Sequence, residues 1–464
     1  MEGPRGRDPP DMTMRLTLIH PCIGRQPGQR YIRSWQMEPL PPATIAGLTP
    51  SDVDIRFYDD RMEIIPYEEP TDLVAISVET YTAKRSYQIA SEYRRRGVPV
   101  VMGGFHPTLC PDEVQQYAEA IVVGEAEGVW PELVDDFRHG RMKRAYRASS
   151  RPSLKGLRPD RRIFRGKRYL PLGLVEAGRG CHFKCDFCAV QAMFGSTQTR
   201  RPLDEVIAEI ASIRRTKKLF FFVDDNITSN LSQAKDFLRA LAPLGIRWVS
   251  QSSINAAHDE EFLSLLAQSG CQGVLIGFES LDPVALAAMN KSFNAMRGGY
   301  DVALRNLRRH QLRLYGTFIF GYDADTPESF RRSVDFAAAH RLYIAAFNHL
   351  TPFPGTPLYT RLSAENRLLF ERWWLDDRYR YNMVPFRPAA MSADALQHHC
   401  LEARRSFYSW PSITRRAFDP VNRSDFFMFR NFFPINGMLR VDTNRRDGFP
   451  LGDEAWTGQL LRAH

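Results

Sequence analysis

The sequence predicts an α/β protein: an N-terminal doubly wound Rossmann-like sheet, then a partial (β/α)6 TIM-like barrel, then a mainly helical C-terminal region. Two series of short β-branched runs alternate with helical patterns, and such alternation predicts two parallel sheets. The second series has six strand–helix units, fewer than the eight that a closed barrel needs. The chain has 464 residues, 44% of them hydrophobic, which is an ordinary globular composition.

Residues 14–140 form the first predicted domain, and a polar tail rich in Pro and Gly over residues 1–13 is expected to be disordered. The predicted strands are Met14–Cys22, Val53–Arg61, Asp72–Thr80, Val98–Gly103 and Ala120–Gly124. Ala83, Tyr87, Ala90 and Tyr93 share one face of a helix that ends before Gly97. Because ligands of such sheets bind at the carboxyl ends of the strands, the loops there are the candidate binding loops.

Residues 141–170 are basic, contain two prolines and lack apolar periodicity, so they are predicted to be a linker. The partial barrel is predicted over residues 171–357, with its active site at the carboxyl mouth of the strands. Its predicted strands are Leu172–Ala177, Leu219–Val223, Arg247–Ser252, Gly273–Phe278, Leu314–Phe320 and Ala345–Leu350.

The C-terminal region, residues 358–464, contains two segments dense in aromatic residues and arginine, 370–386 and 425–440. We expect them to form a helical cap over the barrel mouth that covers the substrate. Aromatic and arginine-rich surfaces are also typical of membrane or partner contacts, so a peripheral membrane contact stays open.

Charge and cysteine usage exclude several classes of protein. Lys and Arg number 62 against 53 Asp and Glu, but no block of five like charges forms a nucleic-acid-binding arm. No run of eighteen apolar residues predicts a membrane span, and the N-terminal tail lacks the apolar core of a signal peptide. The seven cysteines are not spaced like a disulfide scaffold, so we expect a cytoplasmic protein.

The strongest chemical signal is the segment GRGCHFKCDFC at residues 178–188, directly after the first strand of the barrel. Its thiols, Cys181, Cys185 and Cys188, follow a C-x3-C-x2-C spacing, and thiolates are soft ligands suited to iron–sulfur clusters, zinc or copper(I). Three thiols leave one iron of a four-iron cluster open to another ligand. A structural zinc site would need a fourth protein ligand, and no second C-x2-C pair is present.

This motif, followed by βα units, resembles the radical S-adenosylmethionine (radical SAM) superfamily over residues 171–357. The resemblance implies that Cys181, Cys185 and Cys188 hold a [4Fe–4S] cluster whose fourth iron is chelated by SAM. Reductive cleavage of SAM would then yield a 5′-deoxyadenosyl radical that abstracts hydrogen from an unactivated carbon. The residues that fall where the family places SAM contacts are Phe187, Asp224, Asp225, Asn226, Ser252, Glu279 and Ile319.

The N-terminal sheet joined to such a barrel resembles cobalamin-dependent radical SAM proteins, and the segments that carry the resemblance are 100–108 and 123–127. The resemblance implies a bound cobalamin. The residues expected beside it are Thr80, Tyr81, Gly103, Gly104, His106, Gly124 and Glu125. The D-x-H-x-x-G motif that ligates cobalt in other cobalamin domains is absent, which implies a cobalamin without a protein histidine on the metal.

The combined architecture is similar to hopanoid methylases and to the anaerobic magnesium-protoporphyrin ester cyclase group. It implies cobalamin-dependent methylation of an unactivated carbon. Two alternatives stay open: radical cyclisation, rearrangement or oxidation with cobalamin structural or absent, and a metal-stabilised binding protein without catalysis. The expected partners are a small-molecule substrate, hydrophobic or polycyclic, and a reductant such as flavodoxin or ferredoxin, but no nucleic acid.

Overall fold

The computed structural model of the protein describes residues 13–28, 36–295 and 299–463, so the predicted tail lies outside it up to residue 12. The first sheet is parallel, with the strand order β3-β1-β4-β5-β6-β7. The strands of this part of the chain are β1 (Arg15–His20), β2 (Gly24–Arg25), β3 (Asp54–Asp59), β4 (Leu73–Ser77), β5 (Val100–Gly103), β6 (Ala120–Val123) and β7 (Ala145–Arg147). The predicted doubly wound sheet is confirmed.

Helix α1 and strand β7 are among the elements of this domain that were not predicted. The helix α1 begins with two prolines and has no clear apolar stripe, and β7 is a three-residue strand with one buried side chain, Tyr146. β7 extends the sheet into residues 141–170, so the prediction that this whole segment is a linker is wrong. The helices here are α1 (Leu40–Leu48), α2 (Ala83–Arg95), α3 (Phe105–Leu109), α4 (Pro111–Val114) and α5 (Trp130–Arg138).

The second sheet is a parallel half-barrel with the order β15-β14-β13-β12-β11-β8, and its two edges do not meet. Its strands are β8 (Leu172–Val175), β11 (Leu219–Phe222), β12 (Trp248–Ser252), β13 (Cys271–Glu279), β14 (Arg313–Phe320) and β15 (Ile344–His349), and a small antiparallel pair, β9 (Gly178–Gly180) and β10 (Gln198–Arg200), lies at its mouth. The helices are α6 (Ala189–Phe194), α7 (Leu203–Ile213), α8 (Leu231–Leu241), α9 (Glu260–Gln268), α10 (Pro283–Ala288), α11 (Gly299–Arg309) and α12 (Pro327–Ala339). The predicted open barrel is confirmed.

Edge strand β15 is covered by a C-terminal helix. The Tyr408 hydroxyl donates to the carbonyl of Ala345 (2.8 Å) and accepts from the NH of Ala345 (3.2 Å). An exposed strand edge presents unpaired NH and carbonyl groups, and this contact satisfies both. The C-terminal elements are α13 (Pro357–Ala364), α14 (Ala393–Phe407), α15 (Trp410–Ala417), α16 (Phe426–Arg445) and β16 (Gly452–Asp453).

The aromatic segment 370–386 is not helical, although a helical cap was expected there. It forms turns that bury Trp373, Trp374 and Tyr379 against the core of the first domain. Strand β16 then returns to pair with β2. The C-terminal region therefore joins the first domain to the barrel. No helix within the described ranges has the length and hydropathy needed to cross a membrane.

Candidate functional site

The cysteine loop, residues 178–188, is held in place by two acidic residues that follow β11. Asp224 Oδ1 accepts from the NH of Ala177 (2.8 Å), and Asp225 Oδ2 accepts from the NH of Gly180 (2.7 Å). Burial raises the pKa of Asp224 to about 7, and it also raises the pKa of Asp225. Both side chains were expected at SAM, but here they bind backbone groups that lead into the loop.

Gly180 is required by geometry. Its φ is +88°, and a Cβ atom at this position would lie 2.1 Å from the carbonyl oxygen of Thr197 on the neighbouring strand. Only glycine accepts this φ and this close approach together. The residue before Cys181 therefore turns the chain sharply out of β9.

Cys185 is within electrostatic reach of the other two thiols of the loop. Burial is the main cause that raises the pKa of Cys185 to about 12, and the charges of Cys188 and Cys181 raise it further. Burial also raises the pKa of Cys188, while the NH groups of Gln191 and Val190 lower it. Nδ2 of Asn226 lies 3.5 Å from Sγ of Cys181. Three thiols on one loop, with the Asn226 amide beside the sulfur of Cys181, fit the role of iron ligands.

A single metal ion fits the loop less well. A zinc ion binds sulfur at about 2.3 Å, so its ligands must crowd closely together. In the part of the chain that the structure describes, no three His, Cys, Asp or Glu side chains form such a group. Three thiolates on one loop are the kind of donors that iron–sulfur clusters take from cysteine, so the donor set fits the cluster.

A second brace holds the middle of the loop. The Tyr322 hydroxyl donates to Asp186, which lies between Cys185 and Phe187, and Leu358 donates its NH to the carbonyl of Asp186 (3.1 Å). Burial raises the pKa of Asp186, and the hydrogen bond from Tyr322 opposes this rise. Sequence reasoning missed this pair, because nothing in the motif connects it to a tyrosine far along the chain.

The other residues expected at SAM lie at strand ends of the same barrel mouth. Phe187 and Ile319 pack as partly buried side chains against the barrel core. Asn226 donates to Ser253 (2.7 Å), and the hydroxyl of Ser252 lies 3.2 Å from that of Thr228. The structure thus brings these polar groups together beside the cysteine loop.

Glu279 ends β13 in a strained conformation. Its φ is +61°, and the register of β13 against β14 shifts between Gly277 and Glu279. Its carboxylate accepts from Nζ of Lys291 (2.6 Å), so a partner missed by sequence reasoning neutralises it. Positive φ at a residue other than glycine is uncommon, and it often marks a functional site.

A cavity of about 370 Å³ lies between the two sheets and opens to solvent. The first domain contributes Gly103, Gly104, Gly124 and Glu125, all expected at cobalamin, and the barrel contributes Glu176, Arg179, Val223 and Asp225. A Cβ atom on Gly124 would meet no atom within 4 Å, so that backbone borders open space where a ligand can approach. The lining fits a cofactor at this edge of the first sheet.

The remaining residues expected at cobalamin do not line this cavity. His106 is fully buried, with Nε2 3.1 Å from Glu113 and its ring packed against Trp374. Tyr81 contacts the rings of Trp373 and Tyr381, and Thr80 is buried in the same turn. The C-terminal region contacts Tyr81 and His106, and the expectation that these three side chains lie beside cobalamin stays a prediction.

Arg179 links the cavity to the cysteine loop. Its guanidinium lies between Glu176 (2.8 Å), Glu127 (2.6 Å) and Glu125 (3.3 Å), and Glu125 also binds Arg151 (2.7 Å). Arg179 comes from the loop, whereas Glu125 and Glu127 come from the first domain. This ion-pair network joins the two domains beside Cys181, and the position of Arg179 between two glycines was its only sequence signal.

Comparison with known proteins identifies the barrel. Residues 175–337 match the radical SAM superfamily. The chain is 33% identical to bacteriochlorophyllide d C-12(1)-methyltransferase of Chlorobaculum tepidum, over 82% of this chain and 84% of the relative. It is 28% identical to bacteriochlorophyllide d C-8(2)-methyltransferase of the same organism, over 80% of this chain and 86% of the relative.

A solved structure shares the whole architecture. It is the radical S-adenosylmethionine methyltransferase TsrM from Kitasatospora setae with cobalamin and a [4Fe–4S] cluster bound, with a TM-score of 0.63 and 17% identity, covering 89% of this chain and 90% of that one. At this identity the likeness concerns the fold. The relatives and the family match together confirm the enzyme predicted from the cysteine motif, with a [4Fe–4S] cluster and SAM as its cofactors. They also exclude the alternative of a non-catalytic binding protein: the chain belongs to the radical SAM superfamily.

Proposed function

We propose that the protein is a cobalamin-dependent radical SAM methyltransferase that methylates an unactivated carbon at the periphery of a tetrapyrrole acid. The observation that carries this proposal is the 33% identity to a bacteriochlorophyllide d methyltransferase across 82% of this chain. A second bacteriochlorophyllide methyltransferase matches over a similar length. Both relatives span the two domains and part of the C-terminal region, so the likeness extends beyond the barrel.

The cavity between the sheets supports the cobalamin part of the proposal. Arg179 and Asp225 line this cavity. Arg179 is part of the cysteine loop, and Asp225 accepts a hydrogen bond from Gly180 in that loop. A cofactor on the glycine edge of the first sheet would therefore face the cluster across a short path. The TsrM structure, which holds cobalamin and a cluster, has this arrangement of domains.

The proposed roles of the residues follow from their positions. Cys181, Cys185 and Cys188 would hold the cluster. When bound, the cluster supplies the electron that cleaves SAM, and cobalamin carries the methyl group. Asp224 and Asp225 fix the backbone before the first cysteine. The amide of Asn226 lies near the Cys181 sulfur, where a donor tunes the reduction potential.

The C-terminal region is proposed to exclude water from the reaction. Its aromatic segment buries Trp373 and Tyr379 against the loop of the first domain that carries Tyr81. These contacts would join the C-terminal region to the first domain beside the barrel mouth. A closed, dry site prevents side reactions of a radical.

The proposal includes partners and organisation. A one-electron donor such as flavodoxin or ferredoxin would reduce the cluster in the cytoplasm, where free cysteines such as those of this chain persist. The proposed units are residues 14–140 with β7 added from the 141–170 segment, 171–357, and 358–464.

The test is anaerobic reconstitution with iron, sulfide and cobalamin, followed by incubation with SAM, a reductant and bacteriochlorophyllide d. We expect 5′-deoxyadenosine and a chlorin that gains one methylene in mass. Omission of cobalamin should abolish the methylated product. Cleavage of SAM with an oxidised, cyclised or unchanged chlorin would refute methyl transfer.

A further inference from the structure

An arginine of the C-terminal region reaches the open edge of the half-barrel. Arg404 lies on α14, which packs along β15. Its Nε donates to the carbonyl of Phe347 (2.8 Å), and Nη2 donates to Oδ1 of Asn348 (3.0 Å). The guanidinium is therefore fixed at the carboxyl end of the last barrel strand.

The contact with Asn348 places the guanidinium on the inner face of the barrel. Along β14, Tyr315, Thr317 and Ile319 are the partly exposed side chains, and they alternate with residues buried against the helices. Asn348 pairs with Ile319 in the sheet register and is exposed on β15. Neighbouring residues in register share one face of a sheet. Asn348 thus faces the space that the half-barrel encloses.

Tyr81 of the first domain and Tyr315 of the barrel are within electrostatic reach of Arg404, and Tyr381 of the C-terminal region contacts Tyr81. Tyr81 of the first domain lies 5.3 Å from the ring of Tyr381 of the C-terminal region, and its hydroxyl is 3.4 Å from Oγ1 of Thr351. Burial raises the pKa of Tyr81 and of the barrel residue Tyr315, while the positive charge of Arg404 opposes both rises. The guanidinium therefore lies within electrostatic reach of both rings.

The charge of Arg404 has no counter-ion in the structure. Within the described ranges no Asp or Glu oxygen lies within 4 Å of it, and its two hydrogen bonds go to a carbonyl and an amide. The next residue, Arg405, is paired with Glu402 at 2.9 Å. A partly buried cation without a partner is costly, and a guanidinium presents donors that match a carboxylate in pairs.

We propose that Arg404 binds a carboxylate of the substrate, with the wall formed by Tyr81, Tyr315 and Tyr381 contacting the flat ring system. This inference deepens the proposed function and rests on it, because a tetrapyrrole acid carries a propionate on the edge of an aromatic macrocycle. Arg404 is then a specificity residue: it orients the ring so that one edge faces the cysteine loop. Neither the motif nor the similarity to other proteins assigns it this role.

The test compares bacteriochlorophyllide d with its propionate methyl ester, which keeps the ring but removes the charge. Binding is followed by chlorin fluorescence, and methylation by mass spectrometry. The wild type should bind the acid about 10- to 100-fold more tightly than the ester, the range of one charge-assisted hydrogen bond. Arg404→Gln should weaken binding of the acid by this factor and change binding of the ester less than about twofold. Arg404→Lys, which keeps the charge without the paired donors, should be intermediate.

Arg405→Gln is the matched control, because it removes a neighbouring arginine that is paired on the helix surface. A general loss of folding would weaken binding of acid and ester equally, and this result would overturn the inference. So would equal binding of acid and ester by the wild type, or binding of neither. Binding of the acid that depends on Arg404 without methylation would support the inference and refute the methyltransferase proposal. Methylation that is unaffected by Arg404→Gln would support the methyltransferase proposal and overturn the inference about Arg404.

Discussion

Each side of the barrel mouth carries an arginine, and the two arginines have opposite electrostatic environments. On the side of β8, Arg179 lies between three carboxylates, two of them from the first domain. On the side of β15, Arg404 meets a carbonyl and an amide, and no acidic side chain in the described ranges neutralises it. The protein's own carboxylates pair the arginine of the first side, whereas the arginine of the second side has a charge that an anionic ligand would pair.

This difference follows the chemistry expected on each side. The cysteine loop must keep a fixed shape, and Asp225 holds a backbone group in it while Arg179 ties it to neighbouring carboxylates. A substrate must enter and leave, so its binding side cannot be filled by the protein's own carboxylates. The side that holds the cysteine loop and the side expected to bind substrate thus lie at opposite edges of one half-barrel.

The largest effect is expected from Cys185→Ala, which tests whether the cysteine loop on the side of β8 holds the cluster. No other thiol of the described residues lies on this loop besides Cys181 and Cys188, so the cluster loses a ligand that nothing replaces. We expect iron content to fall and SAM cleavage to drop to background, measured by absorbance and 5′-deoxyadenosine release. Cys400→Ala, a buried thiol on α14, is the control and should keep both. Retained cleavage in Cys185→Ala would contradict the cluster assignment.

The second prediction removes the arginine that is paired with three carboxylates on the side of β8. Arg179→Gln leaves Glu127 buried without a cation, and the removal of one partner from a buried ion pair typically costs about 3–5 kcal/mol. We expect this loss in the free energy of unfolding by urea, together with weaker cobalamin retention because Arg179 lines the cavity. Arg405→Gln, an exposed arginine, should change stability by less than about 0.5 kcal/mol. Equal stability of the Arg179 and Arg405 variants would show that the network is not structural.

The contrast also shows what the sequence could and could not predict. The six barrel strands and the cysteine loop were predictable, because hydrophobic alternation and motif spacing are local signals. The sequence placed Asp224 and Asp225 at a strand end, but it could not show their bonds to the NH groups of Ala177 and Gly180, because a strand-end carboxylate looks the same with any partner. No sequence signal marked Lys291 or Arg404, because the partners of their side chains lie on other elements. His106 was expected beside cobalamin, but its side chain contacts Glu113 and Trp374 and does not line the cavity, and these contacts come from elements that the sequence does not connect.

The third prediction concerns a buried carboxylate that has no ion pair with another described residue. Asp325 accepts from the NH groups of Gly321 (2.8 Å) and Tyr322 (3.1 Å), and burial raises its pKa from 3.8 to about 6. Because the folded pKa lies above the unfolded one, its contribution to stability is fully present below pH 4 and is lost as the pH rises through 6.

Asp325→Asn keeps an acceptor for both NH groups but cannot ionise. Relative to this variant, the wild type should therefore lose up to about 3 kcal/mol of unfolding free energy between pH 4 and pH 7. Urea titrations of both proteins at several pH values measure the difference. Parallel curves would mean that Asp325 titrates normally.

The smallest effect is expected at the edge that carries Arg404. Tyr408→Phe removes the hydroxyl that pairs both backbone groups of Ala345, and a buried NH without a partner costs about 1–2 kcal/mol. Tyr408 directly follows α14, one turn after Arg404, so both variants loosen the same edge, but only Arg404 carries a charge. Tyr408→Phe should therefore lower stability while the preference for the chlorin acid over its ester stays as in the wild type. If it abolished that preference, the recognition on this side would depend on the shape of the edge rather than on the guanidinium.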